Sequence, residues 1–282
     1  MKDYAHPEVL VDTQWLAEHL DDPKVRIVDI HIDPTPYESG HIPGAVFWNG
    51  IGTLLGPDWQ INFDKKSVED LCTRSGIAND TTVVAYSEHS ALAPWVFWFL
   101  RSVGHADVRV LNGGRQKWVA EGHALTTEPP AVSAATYVAH DPNPDLRALQ
   151  DRVRAAVGKD NAVLLDVRTP EEYRGELFMQ EPPQGTERGG HIPGATYLYY
   201  EDALNEDATF KSADSLAALY AGQGVTADKE TITYCAVGIR SAHTWFVLTQ
   251  LLGYPQVRSF DASWNVWGRL PDTPIEEGQG RG

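Results

Sequence analysis

The chain has 282 residues, 39 of them acidic and 23 basic, for a formal net charge of -16. That balance repels nucleic acid and anionic membrane surfaces, so neither is an expected partner, and an anionic substrate would need a local cationic exception. The length suits two domains, each able to bury its own core.

The opening stretch, MKDYAHPEVLVDTQW, lacks the basic start and apolar segment of a secretory signal, so a cytoplasmic location is expected. In that setting thiols stay reduced, and the two cysteines, Cys72 and Cys235, are read as free. The β-branched run VRIVDI (25–30) reads as a strand, and HIPGA (41–45) as a turn with Pro before Gly. SVEDLCTRSG (67–76) has one apolar helical face, which places Cys72 in a core. TTVVAY (81–86) is a strand leading into SEHSALAP. ALAPWVFWFL (91–100) is the longest apolar stretch and falls well short of the ~20 residues that span a bilayer. VRVL (108–111) is a further strand. The proline-rich segment 126–145 lacks a helical period and reads as a linker.

After the linker the chain repeats itself. HIPGA recurs at 191–195, an offset of 150, while Asp29 matches Asp166 at an offset of 137, so the second copy carries 13 extra residues before His191. AVLLDV (162–167), TITYC (231–235) and VRSF (257–260) repeat the strands, and Trp267 repeats Trp118. Strands alternating with amphipathic stretches such as SLAALYAGQG and TWFVLTQLLG predict two α/β domains with mostly parallel sheets flanked by helices on both faces. The expected boundaries are 8–125, a linker over 126–145, and 146–277. In such sheets ligands bind beyond the carboxyl ends of strands.

Cys235 sits at such an end. Its loop, CAVGIRS, leads into AHTWFVLTQLLG, an expected helix, and Gly238 permits a tight curl. Amides gathered over a helix N-terminus favour negative charge and so the reactive thiolate. Arg240 supplies a cation where no other Lys, Arg, Asp or Glu lies between Glu230 and Arg258. A strand-end cysteine can equally be a small buried hydrophobe. The first copy, YSEHSALAP, argues against that reading: it has Ser87 in place of Cys235 and no arginine, which marks it as the degenerate copy.

Two copies with an Asp-ended strand, HIPGA and a later Trp, plus the loop from Cys235 to Arg240, resemble the tandem rhodanese family of sulfurtransferases. The likeness is nearest to its bacterial thiosulfate sulfurtransferases, through EEYRGE, NEDATFKS, CAVGIRSAHTWFVLTQLLGY and DASWNVWG. The resemblance implies two rhodanese-like domains and a persulfide on Cys235. It also implies a cradle formed by Ala236, Val237, Gly238, Ile239 and Arg240, and a substrate-anion role for Arg168, whose place in the first copy is taken by His31. The implied donor is a small sulfur anion, thiosulfate, and the implied acceptor is cyanide, a thiol or a thioredoxin-like protein. Neither cofactor nor metal is implied. One residue departs from the pattern: thiosulfate users usually carry an arginine directly after the cysteine, where this chain has Ala236. Mercaptopyruvate users carry a small residue there but lack the arginine at position 240.

Other readings are a non-catalytic rhodanese interaction module and a cysteine phosphatase. Phosphatase loops of this kind place five residues between Cys and Arg, against four here. His41 and His191 open the same turn in both copies and are expected to be structural.

Overall fold

The computed structural model describes residues 3–278. It divides into two compact units. One comprises His6–Asn143 with Leu204–Phe210, and the other comprises residues 3–5, 144–203 and 211–278.

The first unit is built on β1 (Leu10–Val11), β2 (Val25–His31), β3 (Val46–Asn49), β4 (Thr82–Tyr86) and β5 (Val108–Leu111), in the order β1-β5-β4-β2-β3. Every pairing is parallel. Its helices are α1 (Thr13–Glu18), α2 (Thr35–Ser39), α3 (Lys65–Arg74), α4 (Leu92–Ser102) and α5 (Gly114–Ala120). Central strands of a parallel sheet are covered on both faces and so read as continuous apolar runs; Ile27, Val28, Ile30, Val83, Val84 and Ala85 are all buried. α4 is apolar all round because it is buried almost throughout.

The second unit repeats this plan with α6 (Gln150–Ala156), β6 (Ala162–Asp166), α7 (Pro170–Arg174), β7 (Thr196–Tyr197), α8 (Ala213–Gly222), β8 (Glu230–Tyr234), α9 (Ile239–Phe246), β9 (Val257–Ser259) and α10 (Ser263–Trp267). Its sheet order is β7-β6-β8-β9, again parallel throughout. The two copies are α/β domains with parallel sheets flanked by helices.

The expected linker is not a free tether. Residues 126–143 lack regular structure but are laid against the first unit, burying Tyr137 and Ala139. Val138 N–H donates to Asn79 Oδ1 at 3.0 Å, His140 N–H to Val103 O at 3.0 Å and Asn143 N–H to Ser102 O at 2.8 Å. Alternate side chains turn inward here, so the chain is held as an extended strap despite its prolines.

The repeated landmarks occupy repeated places. His41 stacks on Tyr37, and His191 on Tyr173, each with ring centroids 3.9 Å apart. Each histidine also exchanges backbone hydrogen bonds with a segment late in its own copy, Thr126 and Glu276 respectively. Trp118 and Trp267 are buried, and their indole N–H groups donate to Ala124 O and Pro274 O. These residues tie early and late segments of each copy together. Among the described residues no helix is long and apolar enough to cross a membrane, and no cluster of His, Cys, Asp and Glu could hold a metal ion.

Candidate active site around Cys235

β8 ends at Tyr234, and the chain curls through Cys235–Gly238 into α9, an eight-residue helix. Gly238 makes the curl possible: its φ is +93°, and a Cβ there would stand 2.6 Å from Asp261 O. Its N–H points back into the curl and donates to Cys235 Sγ at 3.2 Å. The sulfur is thus held at the positive end of α9 by a backbone donor, an arrangement that stabilises negative charge on sulfur. Cys235, Ala236, Val237 and Gly238 are buried, and Ile239 and Arg240 are partly exposed.

Three serines complete the surroundings. Ser241 Oγ lies 3.8 Å from Cys235 Sγ, bonds to Gly238 O at 3.0 Å and meets Ser259 Oγ at 3.0 Å. Ser263 Oγ accepts from Cys235 N–H at 3.0 Å and lies 3.9 Å from the sulfur. Downstream, Trp264 and Asn265 N–H groups donate to the carbonyls of Cys235 and Ala236 at 3.0 and 2.8 Å. The loop is therefore tied to the start of α10 through the N–H of Cys235 and the carbonyls of Cys235 and Ala236.

The arginines sit differently from the expectation. Arg240 forms a fork-to-fork pair with Glu172, Nη1 to Oε2 at 2.6 Å and Nη2 to Oε1 at 2.8 Å. Burial alone would lower the Arg240 pKa, but the Glu172 carboxylate outweighs it and the guanidinium is held more firmly charged. The same carboxylate completes the capping box of α7, accepting from Thr169 N–H at 2.9 Å while Thr169 Oγ1 accepts from Glu172 N–H. The local cation is thus matched by an anion within its own unit.

Arg168 is paired within the fold. It is fully buried and forked onto Asp166 (Nη2 to Oδ2, 2.6 Å; Nε to Oδ1, 2.9 Å), with a further bond to Gly190 O at 2.7 Å. Its guanidinium also lies over the Trp264 ring, 4.4 Å from the centroid. Its Nε and Nη2 donors are thus taken by a buried carboxylate and a backbone carbonyl, while Nη1, also buried, has no hydrogen-bond partner among the described residues. In the first copy His31 stands at the equivalent place, with Nε2 2.8 Å from Asp29 Oδ1.

Glu172, Ser241, Ser259 and Ser263 escaped the sequence reading as site residues. The Thr169-to-Glu172 capping spacing was visible, but its partner 68 residues away was not. Cys72 lies apart in α3, fully buried, and burial pushes its thiol up to about 12.

The sequence profile of the Rhodanese-like domain matches residues 12–121 and 149–270. The chain belongs to the rhodanese family. This tandem rhodanese is 46% identical over 291 residues to the sulfur carrier protein TtuD of Thermus thermophilus, covering 98% of this chain and 99% of the relative. It is 41% identical over 283 residues to the "Putative thiosulfate sulfurtransferase" of Haloferax volcanii, covering 98% of each. Among solved structures, an EanB variant in complex with ergothioneine matches with a TM-score of 0.88 at 25% identity, over 100% of this chain and 72% of that one. Another EanB variant, solved as a cysteine persulfide in a tetrahedral intermediate state with ergothioneine, matches with a TM-score of 0.88 at 25% identity, over 99% and 73%.

Proposed function

We propose that this rhodanese is a sulfurtransferase that carries the outer sulfur of thiosulfate on Cys235 and passes it to a nucleophilic acceptor. The observation that carries the reading is the Gly238 N–H held 3.2 Å from Cys235 Sγ at the start of α9. The Cys235 thiolate attacks the outer sulfur; the sulfur–sulfur bond of thiosulfate breaks and sulfite leaves with its electron pair. The resulting persulfide gives its terminal sulfur to a thiol, to cyanide or to a thioredoxin-like protein, and the thiolate is regenerated. Amides of Ala236 to Arg240, with the α9 dipole, offset the negative charge as it moves between sulfurs. The names of the relatives, a sulfur carrier and a thiosulfate sulfurtransferase, support this reading, as does the persulfide of the EanB variant. The acceptor is a small thiol or a partner protein, and the chemistry stays within a cytoplasmic thiol pool.

A second donor, 3-mercaptopyruvate, is favoured by one specific observation: Ala236 adds no cation and Arg240 is already matched by Glu172. A dianion then depends on amides more than on free positive charge, whereas a monoanionic carboxylate asks less of the site. The discriminating experiment compares both donors on wild type and on Ala236→Arg. We expect the added guanidinium to raise kcat/KM for thiosulfate by about tenfold, the scale of one charge-assisted hydrogen bond. No change, or a gain for mercaptopyruvate alone, would reject thiosulfate as the preferred donor.

A further inference from the structure

Ser263 has a backbone conformation that serine rarely adopts. Its φ is +51°, in the left-handed region, and it is fully buried at the first position of α10. The repeat-equivalent residue is Gly114, with φ +54°, at the first position of α5. The equivalence follows from the next residues, since Arg115 N–H reaches Ser87 O at 3.3 Å as Trp264 N–H reaches Cys235 O at 3.0 Å. A Cβ on Gly114 would stand 2.4 Å from Ser87 O. The degenerate copy therefore uses the residue this backbone prefers, and the copy with the cysteine does not.

The cost is matched by what the hydroxyl does. Ser263 Oγ donates its proton to Phe260 O at 2.7 Å, which leaves its lone pairs to accept from Cys235 N–H at 3.0 Å. The 3.9 Å approach to Cys235 Sγ is too long to claim that proton against the shorter bond. Ser263 thus fixes the peptide of the nucleophile and, through it, the direction of the sulfur toward Gly238 N–H. In the first copy Gly114 offers no such hydroxyl, and Ser87, the counterpart of Cys235, turns its Oγ to Ile30 O at 2.6 Å.

We propose that Ser263 is a positioning residue for Cys235, retained against backbone strain because its hydroxyl aims the nucleophile. The proposal rests on Cys235 being the sulfur carrier, but its test does not depend on the donor. Ser263→Gly removes hydroxyl and strain together; Ser263→Ala removes the hydroxyl and keeps the strain. Four quantities are measured on the full chain: the maximal rate and KM of persulfide formation from thiosulfate, the rate of Cys235 alkylation by iodoacetamide, and the thermal unfolding temperature. Both variants should lose roughly tenfold in both rates, with KM for thiosulfate nearly unchanged, while Ser263→Gly unfolds at a higher temperature than Ser263→Ala. Wild-type rates in Ser263→Gly, or losses that follow the order of stability, would overturn the role. A wild-type protein that takes no sulfur from thiosulfate, yet is alkylated at Cys235 about tenfold faster than Ser263→Gly, would reject thiosulfate and keep Ser263 as the positioning residue.

Discussion

The ends of β4 and β8 are the same place in two copies of one domain, and the loops that follow them differ. Both strand ends carry a buried tyrosine whose hydroxyl accepts from the isoleucine of HIPGA, Tyr86 from Ile42 and Tyr234 from Ile192. In both copies the neighbouring strand, β2 or β6, carries a buried aspartate close to a basic side chain two residues on, Asp29 with His31 and Asp166 with Arg168. Beyond that framework the loops part. One has Ser87 turned onto a backbone carbonyl and Gly114 beside it; the other has Cys235 facing Gly238 N–H, with Ser263 on its peptide. The framework thus persists in a copy that lacks the cysteine.

Gly238→Ala should break the comparison most severely. The substitution forces a Cβ against Asp261 O from a φ of +93°, so either the loop or α10 must shift. We expect a loss of about 2–4 kcal/mol in unfolding free energy and about a hundredfold or more in persulfide formation, checked by urea denaturation and by single-turnover labelling. A labelling rate close to wild type would mean that the curl does not depend on this glycine.

Arg168 offers a finer separation. If it is framework, Arg168→Ala leaves Asp166 buried without a counter-charge and costs about 3–5 kcal/mol, whereas Arg168→His copies the first domain and costs clearly less. In the histidine variant KM for thiosulfate should stay close to wild type. A large rise in KM with stability intact would restore Arg168 to the substrate.

The α/β class and the twofold repeat were legible because strand runs, HIPGA and Trp118 with Trp267 recur at steady offsets. The place of Cys235 was legible too, since a β-branched run, a Gly-containing loop and an apolar-periodic helix define a strand-to-helix handover. The status of the charges was not. Asp166 and Arg168 lie two apart at a strand end, and that local spacing could have warned of a pair. Arg240 and Glu172 meet only because β6 and β8 are neighbours, a fact of tertiary structure that loop composition does not contain. Counting cations along the chain therefore overstated the free positive charge. The strap over 126–143 was legible only in part for a similar reason: its prolines mark a segment between the copies, but the burial of Tyr137 and Ala139 depends on a surface that the segment itself does not encode.

The central claim is that Cys235, and not its counterpart Ser87, carries transferable sulfur. Intact-mass measurement of wild-type protein and of Cys235→Ser after incubation with thiosulfate tests it directly. The account predicts that wild type gains the mass of one sulfur atom, that a thiol acceptor then removes it, and that the serine variant gains none. An unlabelled wild type, under conditions that label an active rhodanese, or equal labelling of both proteins, would contradict it.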